Sequence, residues 1–157
     1  MKREKYYLTP TGLKKYKEEY DRLKKKKREE RDKMKESRDE LWRPEDLNPD
    51  YEALRGDLSF IERRLKDLEH IFKNVRLIRR PNRASKKVIL GSKITIEIEG
   101  VRENLNLVGT LEANPSEGKI SVDSPVGKSL LNHKEGDEVI IEFPIKRVYK
   151  ILKVEFP

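Results

Sequence analysis

The sequence predicts an α+β fold: an N-terminal antiparallel coiled-coil hairpin, followed by a small domain built on an antiparallel β-sheet with one short helix. Three observations carry this. Two stretches of the first half repeat apolar residues in alternating steps of three and four, the seam of paired helices. A proline-bounded turn separates the two stretches. Beyond Pro81 the pattern changes to period-two alternation, which marks half-buried strands.

Thr9 followed by Pro10 reads as the N-cap and first position of a helix, and the first seam then runs Leu13, Tyr16, Tyr20, Leu23, Lys27, Glu30, Met34, Ser37, Leu41. It turns polar at Lys27 and Glu30, which predicts weaker packing midway. Asn48 and Pro49 start the second helix, whose seam is Tyr51, Leu54, Leu58, Ile61, Leu65, Leu68, Phe72, Val75. A short connection between two long amphipathic helices makes them antiparallel neighbours, and 32 residues of helix (10–41) would reach about 45 Å. The tip falls at about 42–50.

"RRPNRASKK" (79–87) breaks the helical pattern and divides the chain into 1–80 and 81–157. Strands are expected at 92–99, 104–113, 137–143 and 147–156, with about five in all, and a short helix at 124–132.

The chain has 157 residues, 34% hydrophobic and 42% charged, which suits a long exposed helical pair joined to a small globule. No apolar run is long enough to span a membrane. The start, MKREKYYLTP, lacks the apolar region of a secretory signal, and without cysteine there is no disulfide framework and no thiolate metal site. A cytoplasmic monomer is expected. The net charge of +8 belongs mostly to residues 1–80, which hold 25 Lys/Arg against 18 Asp/Glu. Within them, 22–38 holds 10 basic and 4 acidic residues. Such a run suits a polyanion or an acidic cleft, or else a solvated helix face.

No catalytic constellation stands out after residue 81: His133 is isolated, as is His70 in the second helix. The tip differs. Asp39, Glu40, Glu45, Asp46, Asp50 and Glu52 fall within 14 residues, opposed only by Arg43. Carboxylates so crowded repel one another unless solvated or met by a cation. Asp50, in the first turn of the second helix, also suits the helix dipole; Asp46 lies in the turn itself. Oxygen-only ligands on an exposed loop suit a loosely held Mg²⁺ that keeps most of its waters.

At this point the sequence resembles a family, the bacterial Gre transcript-cleavage factors that act on RNA polymerase. "YYLTPTGLKKYKEEYDRLK" (6–24) and "DYEALRGDLSFIERRLKDLE" (50–69) are similar to the family's two helices. "VILGSKITIEI" (88–98), "LVGTLEANPSEGKISVDSPVGKSLLNHKEGDEV" (107–139) and "VYKILKV" (148–154) follow its C-terminal domain. The resemblance implies an FKBP-like C-terminal domain without isomerase activity, docked at the rim of the polymerase secondary channel, with the coiled coil inserted. The tip would then help the polymerase's own aspartates hold a second Mg²⁺ and promote hydrolysis of backtracked RNA, so the protein would assist an enzyme rather than be one.

The family's tip reads Gly-Asp-Leu-Ser-Glu-Asn-Ala-Glu-Tyr, whereas this chain reads Glu45-Asp46-Leu47-Asn48-Pro49-Asp50-Tyr51, two residues shorter. Asp46 matches the family's Asp-Leu and Asp50 its Glu-Tyr; Asp46 and Asp50 would face the metal in the complex, with Glu45 as a further candidate. The basic patch of Lys24, Lys25, Lys27 and Arg31 would meet the RNA 3′ end. Arg55 matches a basic residue near the tip, or pairs with Glu52 or Asp57 at helical spacing. Asp123, Ser124 and Pro125 match a loop used against the polymerase rim, or form a turn and helix cap. Trp42 would pack across the hairpin turn or wedge against the channel wall.

Since some relatives with altered tips inhibit the polymerase, a Gre-like inhibitor acting through the same channel is the alternative. A peptidyl-prolyl isomerase would need an aromatic-lined pocket, for which Phe143, Tyr149 and Phe156 are too few. A free RNA-binding coiled coil built on Lys24 to Lys27 would show steep salt dependence but leave the acidic tip without a use.

Overall fold

A computed structural model describes residues 5–40, 49–81 and 86–157, with side chains of the first helix described through Glu36. The chain forms two compact units, Lys14–Asn74 and Met1–Leu13 together with Val75–Pro157. This spatial division differs from the expected 1–80 and 81–157. The cause is a pair of three-residue strands: β1 (Tyr6–Leu8) lies parallel to β2 (Val75–Leu77), with Tyr6 opposite Val75 and Leu8 opposite Leu77. The Ile78 N–H continues the ladder to the Leu8 carbonyl at 2.8 Å. Leu8 is fully buried, and Gly109 sits so close to β1 that a Cβ there would collide with the Tyr7 carbonyl. Val75, expected as the last seam residue of the second helix, opens β2 instead.

In the helical unit, α1 (Pro10–Glu40) and α2 (Pro49–Asn74) are antiparallel. Glu19 and Tyr20 of α1 meet Arg64 and Glu69 of α2, whereas Lys27 and Arg31, further along α1, meet Glu62, earlier in α2. The seam follows the sequence pattern. Every expected α1 position from Leu13 to Met34 is at least partly buried, and in α2 Leu58, Ile61, Leu65 and Leu68 are buried, joined by Ile71. Each buried Leu or Ile contributes about 1.5–3 kcal/mol relative to exposure. The polar interval in α1 is bonded: Glu30 is buried and receives Lys33 Nζ at 3.1 Å, while Lys27 Nζ reaches Glu62 Oε1 at 2.9 Å. A buried charge needs such partners.

Besides the β1–β2 pair, the other unit carries a five-stranded sheet of β3 (Lys93–Ile98), β4 (Val101–Val108), β5 (Lys119–Ser121), β6 (Glu138–Ile141) and β7 (Arg147–Glu155), in spatial order β5-β4-β3-β7-β6. The expected antiparallel sheet is in fact mixed, because β5 runs parallel to β4. The strand expected over 104–113 stops at Val108, where Gly109 meets β1. Two single 3-10 turns, Thr110–Glu112 and Pro115–Glu117, then carry the chain back, and the tight Asn114–Lys119 pairing sets β5 running in the direction of β4. The short helix α3 (Pro125–Leu130) covers one face. Period-two alternation places Ile94, Ile96 and Ile98 in the core with Leu105, Leu107, Leu130, Val139, Ile141 and Ile151.

Candidate functional site

The acidic tip lies mostly outside the described residues: Glu45 and Asp46 are there, as is Trp42. Asp50 and Glu52 occupy the first turn of α2, both exposed, where the helix dipole favours negative charge. Arg55 pairs with Glu52 at 3.6 Å, one turn apart on the same helix, as helical spacing allows. Among the described residues no three His, Cys, Asp or Glu side chains gather into a group that could hold a metal ion. His133 instead meets Asp137 Oδ2 at 3.3 Å, and that carboxyl is held below its usual range chiefly by the Lys134 backbone N–H.

Along α1 the basic residues fall into two groups. Lys24, Lys27, Arg28, Arg31 and Lys35 line a groove of about 430 Å³ with Tyr20, Asp32, Leu65 and Glu69. Their steps of three and four put them on one helix face. Lys25 is not in this groove; it pairs with Glu29 at 3.9 Å. Arg28 and Lys35 escaped the sequence reading, though steps of four and seven from Lys24 and Arg28 point to them. The groove floor is ordered: Tyr20 stacks edge-to-face on Phe72 at 5.6 Å and donates its hydroxyl to Glu69 at 2.9 Å. That hydrogen bond raises the Tyr20 pKa, and Lys24 Nζ lies 5.6 Å from the Tyr20 ring centre, a cation–π contact. Glu62 takes both Lys27 and Arg31, and is held below the ordinary carboxylate range first by the hydrogen bond from Lys27.

At Asp123–Ser124–Pro125 the residues divide their work. Ser124 is the N-cap of α3: its Oγ accepts the Gly127 N–H at 3.0 Å and donates to the Ser121 carbonyl at 2.7 Å, with Pro125 in the first turn. The cap therefore explains Ser124 and Pro125. Asp123 is exposed and does not cap the helix. Its Oδ2 accepts the Thr110 hydroxyl at 2.7 Å, beside a cleft of about 440 Å³ lined by Lys5, Tyr6, Tyr7, Thr110, Leu111 and Asp123.

The family model described as "Transcription elongation factor, N-terminal" matches residues 6–77, and that described as "Transcription elongation factor, GreA/GreB, C-term" matches residues 83–156. The chain belongs to the GreA/GreB family of transcription elongation factors. Similar members include transcription elongation factor GreA of Thermomicrobium roseum, 40% identical over 92% of each chain. GreA of Bacillus licheniformis is 37% identical over 98% of this chain and 99% of its own. These relatives are named elongation factors, which favours that reading of this GreA/GreB member over an inhibitor. Among solved structures, GreA factor homolog 1 (Gfh1) of Thermus thermophilus is 25% identical over 97% of this chain and 99% of that one, with a TM-score of 0.45. At that score the likeness adds nothing to the sequence matches. Among the described residues no helix is long and apolar enough to cross a membrane.

Proposed function

We propose that this GreA/GreB-family factor binds RNA polymerase at the secondary-channel rim, inserts its helical hairpin, and stimulates the polymerase's cleavage of backtracked RNA without being an enzyme itself. The observation that carries this is the distribution of charge on the hairpin unit: carboxylates in the first turn of α2 and a cationic groove along α1. Asp123 would contact the rim, with Ser124 and Pro125 holding the turn that presents it. The groove residues Lys24, Lys27, Arg28 and Arg31 would take the phosphates of the extruded RNA 3′ segment, with Lys25 contributing only to the general positive field.

Asp46 and Asp50, with Glu45 nearby, would hold a Mg²⁺ shared with the polymerase. The donor types fit: oxygen only, few, and exposed where Asp50 is described, which suits an ion that keeps most of its waters and takes its remaining ligands from a partner. Bound there, the ion supplies charge stabilisation at the scissile phosphate and activation of water. The chain's own part is to carry carboxylates on a narrow helical support and to orient them through the start of α2. The test is a pull-down of polymerase together with cleavage in a stalled, backtracked elongation complex. Binding with faster cleavage supports the proposal; binding with slower cleavage gives the inhibitor; no binding ends it.

A further inference from the structure

Glu112 reaches the start of α1 from 103 positions away in sequence. Its Oε2 accepts the Thr9 backbone N–H at 2.6 Å, and its Oε1 accepts the Thr9 hydroxyl at 2.6 Å. The Thr9 hydroxyl oxygen in turn accepts the Gly12 N–H at 3.0 Å. The N-cap of α1 is thus itself held by a carboxylate, at the helix end where donors are orphaned and negative charge is favoured. Gly12 is buried, and a Cβ there would collide with Glu112 Oε1, so only glycine leaves room for the carboxylate.

Two residues earlier in the same 3-10 turn, Thr110 donates its hydroxyl to Asp123 at 2.7 Å. One turn therefore holds the Asp123 loop with Thr110 and the first turn of α1 with Glu112. We propose that Glu112 is a positioning residue, which anchors the first turn of α1 to the docking loop so that a docked factor delivers its hairpin from a fixed root. The inference rests on the function proposed above. It is separable from that function, because the latch can be observed in the free protein.

The test uses the full-length chain with Glu112→Met, which keeps the length of the side chain and removes both acceptor oxygens that Thr9 uses. Hydrogen exchange on the free protein should show protection of the Thr9 amide lost in this variant. On backtracked complexes, the factor concentration giving half-maximal cleavage should stay within about twofold of the parent. The maximal rate should fall about tenfold, since a displaced reactive group loses rate rather than affinity. Gly12→Ala should give the same split by pushing the carboxylate away, and the double variant should be no worse than about twofold below either single one, because both break one contact. Parent-like maximal rates, multiplying losses, or a defect wholly in half-saturation overturn the proposal. If the parent itself leaves cleavage unchanged, the proposed function has failed, and an unaltered Thr9 exchange rate in Glu112→Met overturns the latch on its own.

Discussion

Lys27 Nζ lies 2.9 Å from Glu62 Oε1 across the helical pair, at the level where the apolar seam of α1 turns polar. The contact lets a cationic groove coexist with a coiled coil. A lysine at a seam position would otherwise be a half-buried, unpaired charge. Arg31 shares the same carboxylate at 3.2 Å, so two groove cations are held by one anion from the facing helix.

Glu62 makes the hairpin sensitive to acid. Its folded pKa lies below the ordinary value of 4.5, first through the Lys27 hydrogen bond and then through the charges of Lys27 and Arg31. A depressed carboxylate contributes stability that is present above its unfolded pKa and lost as pH falls through the folded one. Melting temperatures measured from pH 7 to pH 3 should therefore drop further below about pH 4.5 for the parent than for Glu62→Gln. Parallel declines would show that the pair contributes nothing.

Leu8 ties the N-terminal strand into the β-unit. It is fully buried, whereas Leu77, its partner in the β1–β2 register, is 41% exposed. Leu8→Ala should lower unfolding free energy by about 2–5 kcal/mol, as large-to-small changes in a core do. Leu77→Ala should stay within about 0.5 kcal/mol, as surface changes do. Chemical denaturation reads both, and equal effects would contradict the burial argument.

The groove distinguishes neighbouring lysines. Lys24→Ala and Arg28→Ala should weaken cleavage of long backtracked RNA more than short, because in the proposed insertion only a long extruded segment would reach along α1. Lys25→Ala, outside the groove, should leave the ratio of long to short unchanged. If Lys25→Ala matches Lys24→Ala, the basic run acts as a diffuse field and not as a track.

Asp123 and Ser124 should separate docking from stability. Ser124→Ala removes the α3 cap and should cost about 0.5–2 kcal/mol in denaturation. Asp123→Asn keeps an acceptor for Thr110 and should leave stability alone while weakening polymerase binding. Polymerase affinity unchanged in Asp123→Asn would remove that residue from the docking surface.

The helices were legible because their period held over many turns: Leu58, Ile61, Leu65 and Leu68 could be read as one buried stripe before any coordinates. The alternation of Ile94, Ile96 and Ile98 gave β3 in the same way. Strands β1 and β2 were not legible, since three residues cannot establish a period and their pairing joins positions about seventy apart. The parallel setting of β5 depends on the turns after Gly109, which begin where Gly109 lies against the Tyr7 carbonyl, a long-range contact. In the basic run, contiguous charge hid its own phase. Lys24 and Lys25 are neighbours in sequence but lie about 100° apart around the helix, so only one of them faces the groove. Glu112 carries no local signal of its role, because its partner is Thr9, 103 positions away.

The central claim is that the tip presents carboxylates to a metal shared with the polymerase, and Asp46→Asn tests it most directly. The substitution keeps the side-chain shape and removes the charge, so polymerase binding should survive. The measurement is the cleavage rate on a stalled, backtracked complex across a Mg²⁺ titration. The account predicts a fall on the order of 10²-fold at low Mg²⁺, the usual cost of one lost electrostatic contact, with partial recovery as Mg²⁺ rises. Asp46→Asn that cleaves at the parent rate throughout the titration would contradict it.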